Sequence, residues 1–195
     1  MSDHLRDVIL QDKRRLYGIM AGAFSDLNIY SLKIKNSGIK RLNAGAFRGL
    51  SVKCLHLDYN EINLIEEGSF EGIVNTTKLL SLRINPLQLV KANTLRFFPN
   101  AEELILSGGF EWTKLGYDIR RDMKPDALNG LDRLKLLYLS GSHLRTEGNL
   151  PFRLGPSLER LDLSKNFLKL TCAADMFKNA VNLNMVDFSY NTLKE

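Results

Sequence analysis

The sequence predicts an α/β solenoid: an array of short repeats with a concave parallel β-sheet and an irregular or short-helical convex side. Three observations carry the prediction. A frame of apolar residues, L-x-x-L-x-L-x-x-N-x-L, recurs along almost the whole chain. A second landmark, usually phenylalanine, follows the asparagine position by roughly ten residues. The two landmarks stay in register with each other, as expected when each repeat is one stacked structural unit.

First positions of the frame fall at Leu5, Ile29, Val52, Thr77, Ala101, Leu134, Leu158 and Leu183, at intervals of 24, 23, 25, 24, 33, 24 and 25. One period of about 24 is therefore broken by a single insertion. The second landmark runs through Phe24, Phe47, Phe70, Leu95, Leu128, Phe152 and Phe177. This frame is the leucine-rich-repeat signature. The expected architecture is a leucine-rich-repeat horseshoe, with 1–195 forming a single array of about eight repeats.

Each element of the repeat has a physical reason. The L-x-x-L-x-L segment alternates with period two, so it is a short strand whose leucines point inward. Strands from successive repeats stack in parallel about 4.8 Å apart. The chain must then turn sharply, which leaves backbone N–H and C=O groups buried without ladder partners. Asn60, Asn85, Asn166 and Asn191 stand at that turn. A buried amide is costly unless bonded, but it carries both donor and acceptor and can bridge one turn to the next. Ser37 and Ser142 are weaker substitutes at the same position, and Gly109 is none. The phenylalanine column fills the convex half of the core, beyond the reach of the strand leucines.

Gly109 also marks the start of the insertion, GFEWTKLGYDIRRDMKPDAL, which carries the only tryptophan. Neighbouring repeats fix the ends of this repeat, so its extra residues must bulge outward. Leaving from the asparagine position, they should emerge at the edge of the concave face. Trp112 and Tyr117 are then candidate contacts for a partner; the alternative is that Trp112 folds back over the convex core. At the termini, Leu5 opens a repeat almost at once and the last repeat stops at Glu195. Neither end has room for a polar capping repeat, so the array reads as an uncapped piece of a longer one.

Several function classes find no support. The formal charge of +5 is modest, and no basic and aromatic arrangement typical of nucleic-acid readers occurs, so nucleic acid is not expected as a partner. No apolar run approaches the roughly 18 residues of a spanning helix. The start, MSDHLRDVILQDKRRL, is too charged for a secretory signal. Cys54 and Cys172 fall on opposite sides of the solenoid and make no disulfide framework. His4, His56 and His143 are scattered over different repeats, without the clustering that metal binding needs. Ser140, His143 and Asp162 are no triad, because Ser140 points to the concave surface and His143 lies beyond the turn. No enzyme activity and no cofactor are expected.

The residues between the strand leucines form one continuous concave face, the surface that solenoids generally use for ligands. The early repeats present Lys33, Lys35, Lys53, His56, Lys78 and Arg83, while the late ones present Glu159, Asp162 and Asp187 beside Ser107, Ser140, Ser164 and Ser189. Tyr59, Tyr138 and Tyr190 are the aromatic anchors that could act as contact hot spots. The candidate partner-binding set is Lys33, Lys35, His56, Asp58, Tyr59, Arg83, Tyr138, Asp162 and Asp187. Three readings follow: a cell-surface or secreted recognition protein, an intracellular scaffold consistent with two unpaired cysteines, and a polyanion binder using the basic early repeats.

The pattern N-x-I-x-x-I-x-x-G-x-F-x-G-I, running from Asn60 to Ile73, resembles the typical class of extracellular animal leucine-rich repeats. GIKRLNAGAFRGL and EINLIEEGSFEGI are its clearest copies. Toll-like receptors, chaoptin-like adhesion proteins and Slit-type guidance proteins are built from such units. The resemblance implies a non-catalytic ectodomain that binds a protein ligand. In a secreted parent, the only N-x-S/T sequon, Asn75-Thr76-Thr77, would make Asn75 a glycan acceptor.

Overall fold

A computed structural model describes residues 5–12, 15–66, 68–87, 89–90, 94–108, 122–123, 126–147, 150, 152–169 and 177–192. Its strands are, in chain order, β1 (Asp7–Gln11), β2 (Asn28–Lys35), β3 (Arg41–Leu42), β4 (Ser51–His56), β5 (Leu64–Ile65), β6 (Leu79–Ser81) and β7 (Leu89–Val90). There follow β8 (Glu103–Ile105), β9 (Asp122–Met123), β10 (Leu136–Tyr138), β11 (Arg145–Glu147), β12 (Arg160–Asp162), β13 (Phe167–Lys169) and β14 (Met185–Asp187).

One strand from each repeat enters a single parallel sheet of order β1-β2-β4-β6-β8-β10-β12-β14. The fourth frame positions align across it: Leu32 with Leu55, Leu55 with Leu80, Leu80 with Leu104, Leu104 with Leu137 and Leu137 with Leu161. All are essentially buried. Removing each such side chain from water is worth about 1.5–3 kcal/mol, so the register with the leucines inward is strongly favoured over a one-residue slip.

The convex side is irregular. Among the described residues it contains turns and no α-helix. Beyond the turn lie three further two-stranded parallel sheets, β3 with β5, β7 with β9 and β11 with β13. The β7–β9 pair locates the insertion. Leu89 pairs with Asp122, 33 residues on, whereas Leu80 pairs with Leu104, 24 residues on. The nine additional residues therefore lie between Ile105 and Asp122. Trp112 and Tyr117 lie outside the described residues.

The aromatic column is stacked, with one displacement. Phe24 and Phe47 lie parallel at 6.1 Å, and Phe47 and Phe70 at 5.6 Å. In the next repeat the landmark position is Leu95, and the ring that meets Phe70 edge-on at 4.8 Å comes from Phe98, three residues further on. Leu95 and Phe98 are both buried. This layer has exchanged the large and small residues of the layer before it, Phe70 and Ile73, at nearly constant volume.

Of the turn asparagines, Asn60, Asn85 and Asn166 are buried and Asn191 is half-buried, and all four are hydrogen-bonded through both amide atoms. Asn60 Nδ2 donates to the carbonyls of Ile34 (2.7 Å) in the preceding repeat and of Leu57 (2.9 Å) and Asp58 (3.2 Å) in its own, while Oδ1 accepts from the N–H of Ser37 (2.9 Å). Asn166 repeats the arrangement with Leu139, Leu163 and Ser164, and its Oδ1 accepts from both Ser142 and Leu144. Asn191 donates back to Leu163 at 2.8 Å. Ser37 and Ser142 use their hydroxyls as donors, to Lys35 and Leu106.

A second column precedes the asparagines. Asp12, Asn36, Tyr59, Ile84, Gly108, Gly141, Lys165 and Tyr190 all have positive φ, between 49° and 88°. The left-handed residue bends the chain out of the strand while its N–H still reaches the next repeat, as in Tyr59 to Arg83 and Ile84 to Ser107, both at 2.8 Å. The sequence frame treats this position as free, because only two of its occupants are glycine.

Candidate recognition face

The strand register places three columns of side chains on the concave face. In the column of third frame positions, Cys54 lies between Ser31 and Leu79; in that of fifth positions, His56 lies between Lys33 and Ser81, and Tyr138 between Ile105 and Asp162. The seventh positions are Lys35, Asp58, Arg83, Ser107, Ser140, Ser164 and Ser189. Lys33, Lys35, His56, Tyr138, Asp162 and Asp187 are half-buried, and Tyr59 and Arg83 are exposed.

Asp58 is different: it is 5% exposed and serves as the hub of the early repeats. Lys35 Nζ stands 3.3 Å from its carboxylate and His56 Nδ1 3.7 Å. The Ser81 hydroxyl and the Arg83 N–H (3.1 Å) donate to its Oδ1. Burial pushes the Asp58 carboxyl up, but the neighbouring His56 imidazole, the Ser81 hydrogen bond and the Lys35 charge outweigh it and leave the group below its ordinary value. The sequence grouped Asp58 with open contact residues; in the structure it is a buried group that positions its neighbours.

The separation of charge along the axis is also weaker than the sequence suggests. Lys35 and His56 face Asp58, and Lys78 bonds Glu102 at 2.5 Å, which Lys135 also approaches at 3.3 Å. Among the late repeats, Arg160 stands in register with Met185 and Leu136 on the acidic side. Neutralisation comes from Glu102 and Asp58, neither of which a count of outward-facing basic residues includes.

The late repeats form a hydroxyl-rich patch. Ser140 and Ser164 share a 2.8 Å hydrogen bond, and Ser164 donates to Asp162 (2.7 Å). The Ser189 N–H donates to Asp187 (2.8 Å), and the Ser189 hydrogen bonds hold that carboxyl below its ordinary value. Two aromatic residues of the left-handed column carry cations on their rings, Arg83 over Tyr59 (6.0 Å) and Lys165 over Tyr190 (5.8 Å). Between these two pairs lies an open groove of about 800 Å³, floored by Ile105, Tyr138, Ser107 and Ser140 and walled by Ile84, Glu103, Asp162, Phe167 and Tyr190. Gly108, the last described residue before the insertion, is part of its wall. Sequence reasoning missed Ile84 and Phe167. Both sit beside the turn, where strand alternation has ended.

The remaining candidates lie apart from the groove. Cys54 is half-buried on the concave face, its thiol pushed up by burial and opposed by a hydrogen bond with Tyr30. Cys172 lies outside the described residues. His143 packs its ring against Phe167 at 5.3 Å, beyond the turn. Asn75 is exposed in the turn that leads into β6. No helix among the described residues is long and apolar enough to cross a membrane.

Residues 27–80 match the family model described as leucine rich repeat. Among solved structures, the chain resembles human 5T4 (Wnt-activated inhibitory factor 1, trophoblast glycoprotein), with a TM-score of 0.71 at 20% identity over 98% of this chain and 72% of that one. It resembles TLR13, solved as a TLR13–ssRNA13 complex, with a TM-score of 0.65 at 20% identity over 98% of this chain and 30% of that one. Mouse RP105, solved with MD-1, gives 0.58 at 21% identity over 81% of this chain. This chain covers 29% of that structure's chain, so it spans less than a third of either of the last two. No curated protein sequence matches significantly. Periodic frame, asparagine turns and stacked strands agree with these likenesses: the chain has the fold of a leucine-rich-repeat solenoid.

Proposed function

We propose that the protein is a non-catalytic recognition module that binds a protein partner on its concave face, within a cell-surface or secreted receptor or adhesion protein. The observation that carries this reading is the groove around Tyr138. It combines the apolar surfaces of Ile105 and Tyr138, a row of serine hydroxyls and one cation-bearing tyrosine, Tyr190, on an open sheet face, with Arg83 at its other end. Aromatic anchors with hydrogen-bonding groups around them are the usual content of binding hot spots. Likeness to 5T4, TLR13 and RP105 supports the receptor-type setting, and RP105 was solved with a protein partner, MD-1. An intracellular scaffold is the alternative setting for the same face.

The test is a binding screen of the purified chain against an array of purified secreted proteins and ectodomains. A partner is expected whose binding is lost on Ser140→Arg, which places a long cation in the groove, and kept on Arg153→Ala, on an exposed residue away from it. Binding that survives Ser140→Arg would move the site elsewhere.

The TLR13–ssRNA13 complex raises polyanion binding as a second reading. Pairing of Lys35 with Asp58 and of Lys78 with Glu102 engages two of the basic groups of the early repeats and weakens their pull on phosphate. Affinity for single-stranded RNA that falls steeply with salt would favour this second reading over the first.

A further inference from the structure

Thr76 and Thr77 are adjacent, and their hydroxyls have opposite fates. Thr76 Oγ1 accepts from the N–H of Val52 (3.0 Å) and donates to the Val52 carbonyl (3.2 Å), tying the turn to the preceding repeat. Thr77 occupies the first frame position, in line with Val52 and Ala101, and is 2% exposed. Its Oγ1 is buried with no hydrogen-bond partner. A hydroxyl so placed is a net penalty to the fold, and valine would present the same shape without it. The Thr77 hydroxyl therefore has no task in the folded protein.

Two residues earlier, Asn75 is in the reverse situation. It is exposed, its backbone carbonyl accepts from Asn100 Nδ2 (2.8 Å), and its own side-chain amide has no hydrogen-bond partner among the described residues. Together they form the Asn-x-Thr pattern that is recognised on the unfolded chain, before burial of the threonine. We infer that Asn75 is an N-glycan acceptor and that the buried Thr77 hydroxyl is kept for that recognition.

The chemistry requires one co-reactant, a lipid-diphosphate-linked oligosaccharide of the secretory compartment, with its transferase. Asn75 Nδ2 forms a bond to the anomeric carbon, and the bond from that carbon to the diphosphate oxygen breaks. The lipid diphosphate leaves with the electron pair, and the amide gives up one proton to a base. No oxidant or reductant takes part.

Position makes the modification compatible with recognition. Asn75 precedes β6, at the edge of the sheet where the strands begin, whereas Arg83 and Ile84 line the groove where they end. From Thr77 to Arg83 the chain advances six residues, roughly 20 Å at the rise of a strand. A glycan rooted at Asn75 starts at the turns around Thr76 and Asn100, none of which lines the groove, whose nearest wall is Glu103 in register with Leu79.

This inference rests on the secreted or cell-surface setting proposed above, so its test separates the two. The full chain is expressed in animal cells behind a heterologous signal peptide, as wild type, N75Q, T77V and T77S, and read in whole-cell lysate before and after peptide-N-glycosidase. Wild type and T77S are expected to show a mobility shift removed by the enzyme, with mass spectrometry finding aspartate at 75 after removal. N75Q and T77V are expected to show none. The same T77V change in unglycosylated bacterial protein should leave the melting temperature equal or higher. An unmodified Asn75 in the lumenal wild type, a shift that persists in N75Q, or a lower melting temperature for T77V would overturn the inference. The native location is read separately, by locating the parent protein in its own cells, and does not affect these outcomes.

Discussion

Asn85 Nδ2 donates to the carbonyl of Leu57 at 2.9 Å, so one amide in the fourth repeat closes the turn of the third. The same nitrogen donates to Leu82 and Arg83 in its own repeat, and Oδ1 accepts from the N–H of Ile62 at 3.0 Å. Asn85 is fully buried, so no water replaces these bonds when the side chain is removed. Asn85→Ala should destabilise the protein by about 1–3 kcal/mol, the cost of leaving buried polar groups unpaired. Asn63→Ala, at an exposed residue outside the asparagine column, should change stability by less than about 0.5 kcal/mol. Chemical denaturation of both variants checks this, and coincident midpoints would contradict it.

Ile84 is the one β-branched residue in the left-handed column, with φ of 53°. Its Cγ1 lies 2.6 Å from where a Cβ on Gly108 would sit, so the next repeat is also fitted around it. A β-branched side chain in this conformation stores about 1–3 kcal/mol. Ile84→Asn, which accepts the conformation readily, should raise stability by about 1 kcal/mol. Gly108→Ala should lower it, through both the clash and φ of 88°. Melting temperatures of the two variants should move in opposite directions from wild type. Since Ile84 also lines the groove, Ile84→Asn should weaken binding of a groove ligand while stabilising the fold.

The contrast between Asn85 and Ile84 explains what was legible in the sequence. The asparagine column shows itself because a short amide, with two N–H donors and a carbonyl acceptor, satisfies a buried turn more fully than the serine hydroxyl that replaces it twice, so chemistry favours recurrence. The left-handed column is hidden because conformation, not chemistry, is what its members share. Aspartate, tyrosine, isoleucine, lysine and glycine all occupy it. The concave residues followed from strand alternation, but whether a charge there is free depends on partners one repeat away. Asp58 meets Lys35 and Ser81 across 23 residues of chain, which no local pattern encodes. Ile84 and Phe167 were missed because they sit beyond the strand ends, where alternation stops.

Phe98 meets Phe70 at 4.8 Å while Leu95 holds the position that phenylalanine occupies in the repeats before it. The two buried residues share one layer, so their substitutions should not be additive. Phe98→Leu should leave a cavity and destabilise by about 1–3 kcal/mol. Leu95→Phe alone should overpack the layer and cost about 1–3 kcal/mol. The double variant restores the Phe70–Ile73 pattern of the preceding repeat and should recover part of the sum. A double-mutant cycle by denaturation measures this coupling; simple additivity would mean that the two positions do not share a layer.

Asp58 gives the early concave face a dependence on acid. Its carboxyl is held below the ordinary 3.8, and a group depressed in the folded state contributes stability above its unfolded pKa and loses it as pH falls through the lower folded one. The contribution should therefore be complete above about pH 5 and decline steadily below about pH 4. Asp58→Asn removes the charge that holds Lys35 and His56 but keeps an acceptor for Ser81 and the Arg83 N–H. This variant should be less stable than wild type at pH 7, and the gap should narrow as both are taken to pH 3. Paired denaturation curves across that range test the sign. A gap that widens on acidification would mean that the carboxylate is not the stabilised form.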